Sequence, residues 1–296
     1  MLEVKNITKK LDNELVLDSV SFTLNQGEIF GLLGRNGSGK TTLLRIIQQI
    51  LLPDEGDVLF ENVSIHMHPL VKRKIFYMPV QNLYYERFSY MDLVKLYKRI
   101  YPDFDEEYAG KLMDRYSLSK TKKYRELSTG LKKQLSLVMA FASRPAVILL
   151  DEPTDGVDAV TRHDLLELMI REVADRNTAI LITSHRLEDL ERICSRIGFL
   201  EDSRLTGMTE LDDLKGDFTK IQFAIEENVL SLLEERNIPV LSQTGVFYTI
   251  LLPKNDVKSR NWLKNLHPNI WNEMPISLEE VFIAKFGGKR QWQEQD

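Results

Sequence analysis

Apolar and polar residues alternate through residues 2–8 and again through 15–24, the period of half-buried strands. The run Lys9-Lys10-Leu11-Asp12-Asn13-Glu14 between them reads as a polar turn, so the two strands are expected to pair in a small antiparallel sheet. A short apolar strand follows over Glu28–Leu33. Leu43, Leu44, Ile46, Ile47 and Ile50 then recur at helical spacing, and the helix stops before Pro53, which cannot continue it. Asp57–Glu61 and Ile75–Pro79 read as further short strands. From Asn82 the pattern turns helical and dense in rings: Tyr84, Tyr85, Phe88, Tyr90, Tyr97, Tyr101 and Phe104. This marks a helical subdomain over about 82–145. Most of its rings are expected to pack in its own core, and those of the Tyr84–Tyr90 loop to face a partner.

Two continuous apolar runs come next, Ala146–Leu150 and Thr178–Thr183, with a helical pattern at Leu165, Leu166, Leu168, Met169 and Val173 between them. Continuous runs mean strands covered on both faces, hence a mostly parallel sheet in a doubly wound α/β core. Functional residues then belong at the carboxyl ends of its strands. Near Leu214–Asp217 the pattern resets. Strands over Lys220–Ile225, Val240–Gln243, Phe247–Leu252 and Asn269–Met274, with helices over Glu227–Glu235, Val257–Leu266 and Ser277–Phe286, give the order β-α-β-β-α-β-α. That order predicts a small ferredoxin-like α+β domain over 217–288, after a domain of residues 1–215, with a frayed tail at 289–296.

Composition narrows the class. With 296 residues, 43% hydrophobic and 28% charged, the chain is an ordinary globular protein able to bury a core without staples. A net charge of −5 and the absence of a long basic run argue against a nucleic-acid partner. The single cysteine, Cys194, excludes an internal disulfide and suits a reducing compartment. No apolar run approaches the ~20 residues that span a bilayer, and the N-terminus is not a signal peptide. A cytoplasmic protein is expected, and any membrane part belongs to a partner.

The chemistry centres on Gly34-Arg35-Asn36-Gly37-Ser38-Gly39-Lys40-Thr41-Thr42, which fits G-x-x-x-x-G-K-[ST] between a strand and a helix. Glycines let backbone N–H groups point at phosphate oxygens, and the following helix adds the positive end of its dipole. Lys40 supplies a cation for the outer phosphates, and the Thr41 hydroxyl a ligand for Mg²⁺. Asp151 closes an apolar strand, where it suits Mg²⁺, and Glu152 beside it suits orienting or deprotonating a water. Leu127-Ser128-Thr129-Gly130-Leu131 opens an amphipathic helix over Lys132–Ser143, and Ser128 stands at the N-cap position, a second anion site. His66-Met67-His68 lacks a third metal ligand and reads as a surface strand or loop.

Taken in order, the phosphate loop, Leu127–Leu131, Val147–Glu152, Pro153–Asp158 and Ser184-His185 resemble the ATPase subunits of ATP-binding cassette transporters over roughly residues 1–215. The resemblance implies ATP and Mg²⁺ bound at two composite sites of a head-to-tail dimer, homo- or heteromeric, in which one subunit's phosphate loop meets the other's Ser128 and Gly130. It implies Glu152 as the catalytic base, His185 as the γ-phosphate switch, Asp158 as a coupling residue across the dimer and Thr42 on an inner phosphate. It also implies a separate multi-span membrane subunit, received by the loop around Gln81–Tyr90, that holds this chain at the inner face of the cell membrane.

Three positions depart from the family. Leu11 stands where an aromatic residue usually stacks on adenine. Val80 follows Pro79 where a Mg²⁺-touching glutamine is usual, and Gln81 comes one residue later. Thr129 and Leu131 replace the usual Gly and Gln of the signature. The segments Ile29–Gly34 and Ser277–Phe282 resemble ATPases of bacterial drug, antibiotic or peptide exporters. Two alternatives stand beside this reading. A cassette ATPase working on DNA or ribosomes is disfavoured by the single phosphate loop and the lack of sustained heptads. A nucleotide-gated module with little turnover is motivated by Leu11 and Val80 and opposed by Glu152.

Overall fold

The computed structural model describes residues 1–81 and 85–281. The expectations for Tyr84, for Phe282–Phe286 and for the tail at 289–296 lie outside the described residues. Contacts divide the chain into two units, Met1–Met208 and Thr209–Asp296.

The first unit opens on a hairpin, β1 (Leu2–Leu11) and β2 (Glu14–Leu24), paired antiparallel. The strand runs through the expected polar turn to Leu11, and the reversal is made by two residues only. Asp12 and Asn13 both take positive φ, 49° and 67°, the backbone of a tight hairpin turn whose twist matches the strands it joins. Next come β3 (Ile29–Leu33), α1 (Lys40–Ile47), β4 (Glu55–Phe60), β5 (Val63–Ser64) and β6 (Ile75–Met78). The first sheet has the order β2-β1-β4-β5.

The helical subdomain holds α2 (Tyr90–Ile100), α3 (Glu106–Arg115) and α4 (Thr129–Ala142). Its rings form one stack on β6: Phe76 lies 5.7 Å from both Tyr97 and Tyr101, and those two lie 5.9 Å apart. Tyr85 meets Phe88 edge-on at 5.9 Å and Tyr97 at 6.1 Å, and Tyr90 is buried. Tyr85 and Phe88 are thus half-buried against other rings and Tyr90 is buried, so the described rings of the 84–90 loop contribute to the subdomain's own packing.

The core continues with β7 (Val147–Asp151), α5 (Ala159–Arg176), β8 (Ala179–Thr183), α6 (Leu187–Ile193), β9 (Arg196–Glu201) and β10 (Arg204–Glu210). These strands and β3 and β6 form the second sheet, β10-β9-β3-β8-β7-β6, in which β9, β3, β8, β7 and β6 run parallel. Every residue of β3, β7 and β8 is buried, as their uninterrupted apolar runs require. Register sets the site: Asp151 pairs with Thr183, Thr183 with Leu32, and Leu150 with Met78, so β6, β7, β8 and β3 finish level at their carboxyl ends. On α1, Leu43, Leu44, Ile46 and Ile47 are buried, each contributing about 1.5–3 kcal/mol. That face fixes the helix whose first turn follows the phosphate loop. Cys194, after α6, is buried, and burial pushes its thiol far above the ordinary range.

In the second unit, α7 (Leu211–Gly216) buries Leu211 and Leu214 and contacts β11 (Phe218–Ala224). The division therefore falls before α7 rather than at residues 215–217. The chain then forms α8 (Leu230–Glu235), β12 (Val240–Thr244), β13 (Phe247–Pro253), α9 (Val257–Asn265) and β14 (Ile270–Met274). The sheet order is β12-β13-β11-β14, antiparallel throughout, the arrangement of two interleaved split β-α-β units. Its core gathers Ile221, Phe223, Tyr248, Ile250 and Leu263.

Candidate functional site

The carboxyl ends of β3, β7 and β8 open on one cavity of about 610 Å³ lined by Asn36, Gly37, Gly39, Lys40, Thr41, Thr42, Asp151, Glu152, Asp155 and His185, with Leu11, Val16 and Val80 on its apolar side. This is the size of an ordinary small-ligand site.

The phosphate loop is shaped by close approach. At Gly34 a Cβ would collide with Ser38 Oγ and the Leu200 carbonyl, so no other residue fits. Gly39 takes φ of 103°, a conformation L side chains avoid, and turns the chain into α1. Ser38 N–H donates to the Arg35 carbonyl at 3.1 Å and closes the loop on itself. The helices α2, α3, α4 and α5 are capped by the side chains of Ser89, Asp105, Ser128 and Asp158, whereas α1 has no side-chain cap and no acid in its first turn. Its bare N–H groups and dipole end face the cavity, the setting of an anion site. Lys40 is buried, and its ammonium donates to the carbonyls of Gly34 at 2.7 Å and Arg35 at 3.1 Å. Burial pushes its pKa down, and Glu152 and Asp151 pull it back up.

Asp151 is gripped from three elements. Thr41 Oγ1 donates to one carboxylate oxygen at 2.8 Å, Thr183 Oγ1 to the other at 2.8 Å, and the Tyr77 hydroxyl to the first at 3.3 Å. Burial first, then the Asp151 charge, pushes the Tyr77 phenol well above its usual range, so it stays a donor. Glu152 lies beside it with φ of 49°, and its Oε2 stands 2.9 Å from His185 Nδ1 and accepts the His185 N–H at 3.3 Å. Lys133 of α4 is buried beneath, its ammonium 2.5 Å from the Glu152 carbonyl. Burial lowers its pKa, against the pull of Asp155, Glu152 and Asp151.

The residues present fit a triphosphate and Mg²⁺. Ser38 Oγ is buried at the loop with no protein partner, and the α1 amides carry no side-chain cap. Thr41 and Asp151 present a hydroxyl and a carboxylate 2.8 Å apart, the hard oxygen donors Mg²⁺ takes together with phosphate oxygens and water.

Ser128, Gly130 and Asp158 do not line this cavity. They line a second pocket of about 400 Å³ with Thr129, Leu131, Gly156, Val157 and Thr161. Ser128 Oγ accepts the Leu131 N–H at 3.4 Å, the expected N-cap, on a helix that begins at Thr129 rather than Lys132. Asp158 caps α5, accepting the N–H groups of Val160 at 3.1 Å and Thr161 at 3.0 Å. Gln81 is exposed and absent from the cavity lining, where Val80 stands instead. Gln81 therefore does not line the cavity, because β6 ends at Met78 and Pro79 delivers the next side chain, Val80, to the wall. Tyr77, Thr183 and Lys133 enter the site without a sequence motif of their own. A polar end to an apolar strand for Thr183, and a lysine among core positions of α4 for Lys133, are their signals.

A strand–loop–helix cradle with its lysine and threonine, an aspartate closing a neighbouring parallel strand, and a glutamate–histidine pair beside it define a P-loop nucleoside triphosphatase. Comparison with known proteins is more specific. Residues 17–155 match the family described as "ABC transporter". The chain is 61% identical over 292 residues to the ABC transporter ATP-binding protein YtrB of Bacillus subtilis (strain 168), covering 99% of this chain and 100% of that protein. It is 31% identical to the Nod factor export ATP-binding protein I of Burkholderia thailandensis, covering 98% of each. A solved dimeric ATP-binding cassette bound to ADP and phosphate shares the fold, with a TM-score of 0.64 at 23% identity over 71% of this chain and 99% of that one. The chain belongs to the ABC transporter family as an ATP-binding subunit, an ATPase that uses ATP and Mg²⁺.

Proposed function

We propose that two such subunits, identical or related, close head-to-tail on ATP and drive a separate membrane protein that exports a drug, antibiotic or peptide. The observation that carries the reading is the level finish of β3, β7 and β8, which brings Lys40, the Thr41–Asp151 pair and the Glu152–His185 pair to one cavity. The loop amides, the first turn of α1 and Lys40 bind the phosphates, with Thr42 toward an inner one. Thr41 and Asp151 would hold Mg²⁺, which neutralises phosphate charge when bound. Glu152 accepts the proton of the attacking water, and His185, in contact with its carboxylate, orients it and senses the γ-phosphate.

Ser128 and Gly130 belong to a pocket apart from this cavity, which supports their serving the partner's nucleotide. The dimeric cassette of the same fold supports that assembly. Among the described residues no helix is long and apolar enough to cross a membrane, so the bilayer-spanning part is assigned to the partner, with this chain on the cytoplasmic side. Export is supported by the whole-length likeness to the Nod factor export protein.

The test is phosphate release by the purified chain and by Glu152→Gln. We expect turnover to fall about 10²–10⁴-fold in the variant, the usual weight of a general base, while ATP binding persists and the variant elutes as a dimer with Mg²⁺–ATP. Wild-type turnover in Glu152→Gln rejects the base. Unaltered sensitivity to drugs and antimicrobial peptides in cells lacking the chain rejects the export reading.

A further inference from the structure

Glu152 is held in a conformation it does not favour. Its φ of 49° lies in the left-handed region, which a residue with a Cβ avoids. The residue after it is Pro153, whose ring favours extended backbone at the position before it. Left to itself, Glu152 relaxes toward that extended form and its carboxylate swings away from His185.

The surrounding bonds oppose this. The Glu152 N–H donates to the Thr183 carbonyl at 3.2 Å and lies 3.1 Å from Thr183 Oγ1. The Glu152 carbonyl accepts the Asp155 N–H at 3.3 Å, a long bond, and the Lys133 ammonium at 2.5 Å, a short charge-assisted one. Lys133 is 6% exposed, so its charge gives up water, and this carbonyl is a principal replacement. It sits about one helical turn after Gly130 on α4, so the helix capped by Ser128 also reaches under Glu152.

We propose that Lys133 is the positioning residue of the Glu152 carboxylate: its ammonium pins the Glu152 carbonyl, keeps the left-handed turn and so aims the side chain into the cavity. The same strut ties the partner-facing start of α4 to the base of its own subunit. The inference rests on Glu152 being the base.

The experiment compares wild type, Lys133→Met, Lys133→Arg, Glu152→Gln and the double variant for kcat, KM for ATP, binding of a fluorescent ATP analogue and thermal unfolding. In Lys133→Met we expect kcat to fall about 10- to 100-fold, the scale of a misplaced catalytic group, with KM and analogue binding within twofold of wild type. Lys133→Arg, which keeps a cationic donor, restores most of the rate. The double variant is no slower than Glu152→Gln alone, because the lysine acts through the glutamate.

Wild-type kcat in Lys133→Met, a raised KM at unchanged kcat, or a multiplicative further loss in the double variant each overturns the proposal. If Lys133→Met does not fold, Lys133→Gln is read by the same criteria. Undiminished turnover in Glu152→Gln would instead refute the base, separately from any result at Lys133.

Discussion

The six-stranded sheet of the first unit and the four-stranded sheet of the second follow different rules. In residues 1–208, β3, β7 and β8 are buried along their whole length. In residues 209–281 only β13 is buried through its middle; β11 largely alternates between buried and half-buried positions, and β12 and β14 are largely open to water. Where both faces are covered, a charge cannot sit mid-strand, so polar groups collect where the strands stop: Asp151 and Thr183 are buried there, each bonded to the other. There the loss of water makes every hydrogen bond count for more. Where one face is open, charges find water anywhere along the strand. The Lys220–Glu280 pair at 2.6 Å keeps part of its contact with water, its side chains 15% and 23% exposed. The first design concentrates chemistry, and the second supports packing.

The largest expected effect that breaks this comparison is on the packing side. Phe223 is buried between Tyr248 at 5.4 Å and Trp271 at 6.4 Å. Phe223→Ala should lose about 3–5 kcal/mol of stability in its unit, read as a separate low-temperature melting step, with ATP turnover per folded molecule unchanged. Matching losses of turnover and stability would erase the contrast between the two sheets. Next comes Thr183→Val, which removes a donor from buried Asp151 and an acceptor from the Glu152 N–H. It should cost about 1–3 kcal/mol and lower turnover, unlike any Thr→Val change on an open strand of the second unit.

Leu11→Tyr sharpens the nucleotide side. Leu11 is 37% exposed on the cavity wall, and a ring there should add the part of the ~1–3 kcal/mol of base stacking that an aliphatic side chain does not supply. Tighter binding of ATP and a larger ATP/GTP ratio in titration are the expected result, and unchanged affinity would show that the base lies elsewhere. The smallest effect is electrostatic. The Arg144 guanidinium, with help from the Tyr108 N–H, holds the Asp105 carboxyl below its ordinary range. A depressed carboxylate stabilises the fold above the unfolded-state value and loses that contribution as pH falls through the folded one. Asp105→Asn should therefore melt slightly below wild type at pH 7, with the gap closing as pH falls through the acid range.

Much of this was legible because the motifs coincide with element boundaries. The phosphate loop sits between β3 and α1 as its flanking apolar residues imply, and Asp151, Glu152 and His185 follow strands whose uninterrupted runs give away their burial. In the second unit the order β11-α8-β12-β13-α9-β14 followed from alternation and turn residues, whereas α7 before it was not read. What could not be read were contacts set by register. Tyr77 reaches Asp151 from two strands' pairing rather than from a motif, and Lys133 looks like a solvated charge until α4 is placed against the end of β7. Between 187 and 210 the sequence reading assigned no element, yet α6, β9 and β10 lie there. Charged residues such as Glu188, Asp189, Arg196 and Arg204 interrupt the apolar pattern, and the arginines are accommodated by partners from distant strands and turns: Glu28 for Arg196 at 2.7 Å and Asp18 for Arg204 at 2.6 Å. The choice between Val80 and Gln81 was open for a related reason, since spacing along the chain does not say which of two neighbours a proline turns inward.

Cys194 has a use that follows from its concealment. With the chain's one sulfhydryl sealed away and held protonated, alkylating reagents meet no target until the parallel sheet opens. Its rate of modification then becomes a clock for that opening, read without altering a residue, and a cysteine introduced at an exposed position such as Met67 becomes the sole fast-reacting handle for a probe.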